Sequence, residues 1–105
     1  MEAQLNLGMM YRQGKGVPQD YMEALSWYLK AAEQGSMKAQ FNLGEMYCKG
    51  TGVPQDLVQA LKWFGLAAIA GHEEAVKSMK TAEARMTPQE IGEAQALAQE
   101  WLAQH

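Results

Sequence analysis

The sequence predicts an all-α domain, a solenoid of stacked helix-turn-helix repeats closed by a C-terminal capping helix. The first observation is a loop written twice: "GKGVPQD" at residues 14–20 returns as "GTGVPQD" at residues 50–56. The second is a wider echo, because "AQLNLGMMY" (3–11) returns as "AQFNLGEMY" (39–47) and "EALSWYLKAA" (23–32) as "QALKWFGLAA" (59–68). The offset is 36 residues throughout (39 against 3, 50 against 14, 63 against 27), and a fixed period between about 20 and 50 residues marks a stacked repeat architecture. The third is that apolar residues between the loops recur at helical spacing.

The 105 residues read as one domain: a first repeat over about 3–38, a second over about 39–74, and a degenerate third helix pair with cap over about 75–105. In the first helix Ala3, Leu7, Met10 and Tyr11 fall at i, i+4, i+7 and i+8 and share one face, expected to be buried. Gly8 beside them admits a close helix neighbour, although glycine costs about 1 kcal/mol relative to alanine inside a helix. Ala39, Leu43, Gly44, Met46 and Tyr47 repeat the arrangement.

The heptapeptide then stops, bends and restarts the chain. Gly14 takes the left-handed conformation that ends a helix, Gly16 supplies a second positive φ, and Pro18 prevents continuation. Asp20 precedes Glu23 by three residues and Asp56 precedes Gln59 by three, the spacing of a reciprocal capping box. A phosphate-binding loop is excluded, since G-x-x-x-x-G-K-[ST] is absent and the glycines follow a helix instead of a strand.

The second helix carries a wider apolar arc of Tyr21, Ala24, Leu25, Trp27, Tyr28, Ala31 and Ala32, matched by Leu57, Ala60, Leu61, Trp63, Phe64, Ala67 and Ala68. So wide an arc needs partners on two sides, which a stack supplies. The repeated placement of Trp27 and Trp63 beside alanines makes them core residues instead of a stacking platform. Gly35 and Gly71 end these helices.

In the third unit Ala75 and Met79 keep the register, but Lys80 stands where Gly8 and Gly44 stood and Glu83 where Tyr11 and Tyr47 stood, so the close crossing is expected to be lost. "TPQE" (87–90) is a strong helix start, with Thr as cap, Pro at the first helical position and Glu at the third. Ile91, Ala94, Leu97, Ala98 and Trp101 then form one apolar stripe, and Glu90, Glu93, Gln95, Gln99 and Glu100 a wet outer side, as a terminal cap requires.

Composition narrows the function. No apolar run approaches the roughly 20 residues of a membrane span. A net charge of −3 with scattered Lys and Arg offers no basic stripe for nucleic acid. Cys48, the one cysteine, has no intrachain partner and reads as a small filler at a helix end. The start lacks the basic, apolar, small-residue progression of a signal peptide, and the compartment stays open between the cytoplasm and, after removal of a leader, the periplasm or exterior. No H-E-x-x-H spacing occurs, His72 and His105 have no evident co-ligands, and no nucleophile and base pair recurs, so no metal, cofactor or catalytic group is expected.

With these residues in hand, the chain resembles the Sel1-like repeat family, relatives of the tetratricopeptide repeat. The resemblance rests on Ala-x-x-x-Leu-Gly-x-x-Tyr (Ala3 to Tyr11, Ala39 to Tyr47), Gly-x-Gly-Val-x-x-Asp (Gly14 to Asp20, Gly50 to Asp56) and Ala-x-x-Trp-x-x-x-Ala-Ala (Ala24 to Ala32, Ala60 to Ala68). It implies a right-handed α/α superhelix that serves as an adaptor or scaffold and needs no cofactor. It does not extend to the family's cysteine-rich branch, to which β-lactamase or penicillin-binding activity has been attributed: Cys48 is alone, and the third residues after Ser26, Ser36 and Ser78 are Leu29, Ala39 and Thr81, so no S-x-x-K is present.

The resemblance also implies that the first helix of each pair lines a concave groove. Counting about 100° per residue from the buried stripe, its solvent face carries Leu5, Met9 and Arg12 with Asn6 and Gln13, then Phe41, Glu45 and Cys48 with Asn42 and Lys49, then Lys77, Thr81 and Ala84 with Ser78 and Arg85. Stacked, these make an apolar strip (Leu5, Phe41), a polar column (Asn6, Asn42, Ser78) and a basic edge (Arg12, Lys49, Arg85), a surface for an extended peptide and its carboxylates. The same positions also fit a merely solvated helix face. The leading expectation is therefore a protein or peptide partner in the groove, without nucleic acid or membrane insertion. The competing one is an assembly fragment that self-associates or stacks through an uncovered N-terminal end, with hydrolase activity a distant third.

Overall fold

The computed structural model describes residues 2–105. There the chain forms six α-helices and no strand: α1 (Glu2–Gln13), α2 (Tyr21–Glu33), α3 (Met37–Lys49), α4 (Leu57–Ile69), α5 (Glu73–Glu83) and α6 (Pro88–Gln104). Each helix packs on the next as far as α5, while α6 turns back onto α4. The result is an elongated body of 42 × 26 × 22 Å.

The turns between paired helices are local chemistry repeated. Gly14 (φ 71°) and Gly50 (φ 70°) adopt the left-handed conformation, followed by Gly16 (φ 77°) and Gly52 (φ 74°). The N–H groups of Gly14 and Lys15 both donate to the Met10 carbonyl, at 2.7 and 3.1 Å, and so close α1. Asp20 Oδ1 accepts from the amides of Met22 (3.0 Å) and Glu23 (3.1 Å), and Asp56 Oδ1 from that of Gln59 (3.1 Å).

The reciprocal half of these two boxes is used differently from the expectation. The Asp20 and Asp56 amides donate to the carbonyls of Tyr11 and Tyr47, both at 2.9 Å, strapping each turn to the helix before it. Gln19 and Gln55 complete the strap by donating to the Arg12 and Cys48 carbonyls at 2.7 and 2.8 Å, satisfying acceptors that a helix end leaves unpaired. Among the described residues only Thr87 and Glu90 form a complete box, at 2.9 and 3.1 Å.

The glycines of α1 and α3 set the distance between paired helices. A Cβ on Gly8 would lie 2.7 Å from the Tyr28 ring, and one on Gly44 would lie 2.5 Å from that of Phe64. At the third position Lys80 cannot admit a ring so closely, and α6 packs on α4 instead of α5.

Burial in α3 follows the expected stripe, with Ala39, Leu43, Gly44 and Met46 all inside. In α1 the same register is only partly covered: Ala3 and Met10 are exposed, because among the described residues no helix packs on that side of α1 as α2 packs on α3. Three further expectations are corrected. Leu5 and Phe41, counted as solvent-facing, are buried at 8% and 9% exposure. The cause is a second covered face. Leu5 joins Ala24, Tyr28, Ala31 and Ala32 of α2, and Phe41 packs with Phe64 of α4 (5.7 Å between centroids) and stacks on His72 (4.4 Å), at the entry to α5. Trp63 is core, capped edge-on by Trp101 at 6.3 Å, but Trp27 is half-buried, because α4 does not cover α2 as α6 covers α4. Arg85 lies beyond the end of α5, whose C-cap is Ala84, and so leaves the helical face assigned to it.

Candidate functional site

The helix faces expected to line a groove do meet, in part. Glu45, Cys48 and Lys49 of α3 and Lys77, Ser78 and Thr81 of α5 surround a hollow of about 220 Å³, whose floor is the ring of Phe64. The α3 residues lie one helical turn apart and therefore on one face, and the 36-residue period sets Thr81 opposite Glu45.

The charges around this hollow are unequal. Lys49 Nζ lies 3.0 Å from Glu45 Oε2, an exposed i,i+4 pair worth at most about 1 kcal/mol. Lys77 has no carboxylate within ion-pairing distance among the described residues. It occupies the register of Leu5 and Phe41, but no helix follows α5 there to cover it, so the position carries an exposed ammonium. Thr81 Oγ1 donates to the Lys77 carbonyl at 3.2 Å, which uses its proton and leaves the oxygen able to accept. The hollow thus combines an aromatic floor, a free cation and two hydroxyl groups.

The other expected groove residues stand apart from it. Asn6 and Met9 are exposed on α1, Asn42 is half-buried on α3, and Arg85 is exposed in the turn before α6. Arg12, half-buried, has its guanidinium beside the Tyr28 hydroxyl. Burial pushes the Tyr28 phenol above its ordinary range and Arg12 partly offsets this. Tyr47 is raised as well, by burial and then by the nearby Asp56 carboxylate.

One feature escaped the helical count. Leu61, Gly65, Ala68 and Ile69 of α4, Met79 of α5 and Ala94, Ala98 and Leu102 of α6 border an apolar cleft of about 340 Å³. It is the wedge left where α6 fails to close on α5. Lys80 in place of glycine was its only sequence signal.

Comparison with known proteins now places the molecule. A family model described as the Sel1 repeat matches residues 2–36 and again 38–72. The chain belongs to the Sel1 repeat family. Its relatives generally act as protein–protein interaction modules and are typically non-enzymatic scaffolds. Among solved structures, the chain is similar to a protective antigen present in uropathogenic Escherichia coli strains, described as displaying an SLR fold, with 39% identity and a TM-score of 0.92 over 96% of this chain. It is also similar to a Sel1 repeat protein from Oxalobacter formigenes, with 49% identity and a TM-score of 0.73 over 74% of this chain. It spans 22% and 32% of the lengths of those two chains. No curated protein matches it significantly. The all-α Sel1 repeat solenoid is thereby shown, and among the described residues no helix is long and apolar enough to cross a membrane.

Proposed function

We propose that this Sel1 repeat chain works as one adaptor domain that binds a peptide or protein segment along the concave side, over the hollow between α3 and α5. The observation that supports this most is the convergence of Glu45, Lys49, Lys77 and Ser78 from two repeats above the Phe64 ring. A segment laid across α3 and α5 would set an apolar side chain over that ring and a polar or anionic group against Lys77 and Ser78. Asn6, Met9, Arg12 and Asn42 would extend the same track toward α1, whereas Leu5 and Phe41 serve it only from beneath, as core. The reading involves no catalysis, cofactor or nucleic acid.

The test is selection of binders from a displayed random-peptide library on the wild-type chain, followed by titration of the selected peptides against Lys77→Glu and Ser78→Trp. Both positions are off the core, so circular dichroism should be unchanged while affinity falls about tenfold or more. Equal affinity for the wild-type and both variant chains would refute this site.

A second reading, assembly through the N-terminal end, is favoured by the uncovered stripe of α1. Ala3 and Met10 are exposed where their counterparts Ala39 and Met46 are buried at 0% and 1%. Sedimentation would then show a concentration-dependent larger species that Met10→Lys abolishes.

A further inference from the structure

At the end of α6, His105 is held from three sides. Its Nε2 lies 2.8 Å from Glu33 Oε2, its Nδ1 lies 2.8 Å from the Trp101 carbonyl oxygen, and its ring stacks on the Trp101 indole at 4.0 Å and 11°. The indole Nε1–H donates to the same Glu33 oxygen at 3.2 Å. Glu33 is the last residue of α2, so one carboxylate at the close of the first repeat gathers the final turn of the cap, 72 residues away.

Both oxygens that face the imidazole can only accept hydrogen bonds. A neutral imidazole has one N–H and can satisfy one of them, whereas the imidazolium donates to both. A cation over an indole face is favoured as well. We propose that His105 is a proton-operated latch between α6 and α2, fully closed when its ring is protonated and weakened when the proton leaves.

The sign follows from the geometry. The clasp is complete with the imidazolium and loses one hydrogen bond when the ring gives up its proton. The groups facing the ring are Glu33 from α2 and the Trp101 carbonyl, at the negative end of the α6 dipole. From α4, Lys62 is held over the Trp63 indole at 4.5 Å, and Lys30 of α2 lies over Trp27 at 4.4 Å. Among the described residues His105 is the only basic group within ion-pairing distance of Glu33. His72 acts in the opposite sense: its Nδ1 accepts the Ala75 amide at 3.2 Å, which a protonated nitrogen cannot do. A melting curve of the whole chain therefore mixes the two histidines, and the measurement has to be local.

The experiment is a proton–nitrogen correlation spectrum of the 105-residue chain from about pH 5 to 8, with the Trp101 indole signal assigned by Trp101→Phe and amide exchange followed in the last turn of α6. The latch requires the Trp101 indole signal to move in one transition while that of Trp27 stays still. It also requires α6 protection, normalised to the His105→Gln chain at each pH, to fall several-fold as pH rises. Glu33→Gln, an exposed change, should remove both effects. A Trp101 signal that stays flat, or that moves equally in Glu33→Gln, overturns the latch.

Discussion

Gly44 and Gly92 are both glycines inside helices, yet they do opposite things. Glycine in a helix interior gives up about 0.5–1 kcal/mol relative to alanine, so an alanine should help wherever its methyl group has room. Gly92 has open space around it. Gly44 does not, since its methyl would press into the buried Phe64 ring at 2.5 Å and force ring or helix to shift, a strain of about 1–3 kcal/mol. Gly92→Ala should therefore stabilise the chain by a few tenths of a kcal/mol to about 1, and Gly44→Ala should destabilise it by about 1–2 kcal/mol net. Urea titrations of the two variants check this. Equal effects would mean that helix propensity, not the close crossing, governs these positions.

At the scale of the helix, the same residue differs in worth with the helix that covers it. Trp63 of α4 lies under α6, whereas Trp27 of α2 is half-buried with the Lys30 ammonium 4.4 Å from its ring centroid. Truncating a buried aromatic costs about 3–5 kcal/mol against a total of roughly 5–15. Trp63→Ala should thus unfold or nearly unfold the chain, while Trp27→Ala should cost clearly less and leave a cooperative transition. Thermal melts followed by circular dichroism decide it, and equal losses would show that α2 is covered after all.

For the whole molecule, alkaline pH tests the paired cores together, because each repeat holds one tyrosine raised above its ordinary range: Tyr28 buried in the first, Tyr47 half-buried in the second. A phenol raised in the folded state contributes stability that is intact below the unfolded value of about 10 and is lost as pH climbs through the folded one. Stability should accordingly fall above about pH 10, and Tyr28→Phe should flatten that fall. Tyrosinate absorbance recorded beside the melting temperature provides the check, and a Tyr28→Phe chain with the wild-type slope would rule out this cause.

What the sequence alone determined was everything carried by neighbours along the chain. The stop, bend and restart of each loop were legible because they depend on left-handed glycines, one proline and an aspartate cap within seven residues. The stripe of α3 and the glycine crossings were legible because a helix repeats every 3.6 residues and the period places equivalents face to face. That period also brought Glu45, Lys49, Lys77 and Ser78 into the expected neighbourhood. The tertiary structure decided which faces are covered, since burial depends on the helices that stand beside a residue in space. Leu5 and Phe41 went inside because a second helix face closed over them, Lys77 in the same register stayed out because none did, and Ala3 and Met10 stayed exposed for the same reason. Phe64 became a floor, the cleft beside α6 opened, and Glu33 met His105 only once α6 had folded back onto α4, a choice set by which surfaces remained unfilled.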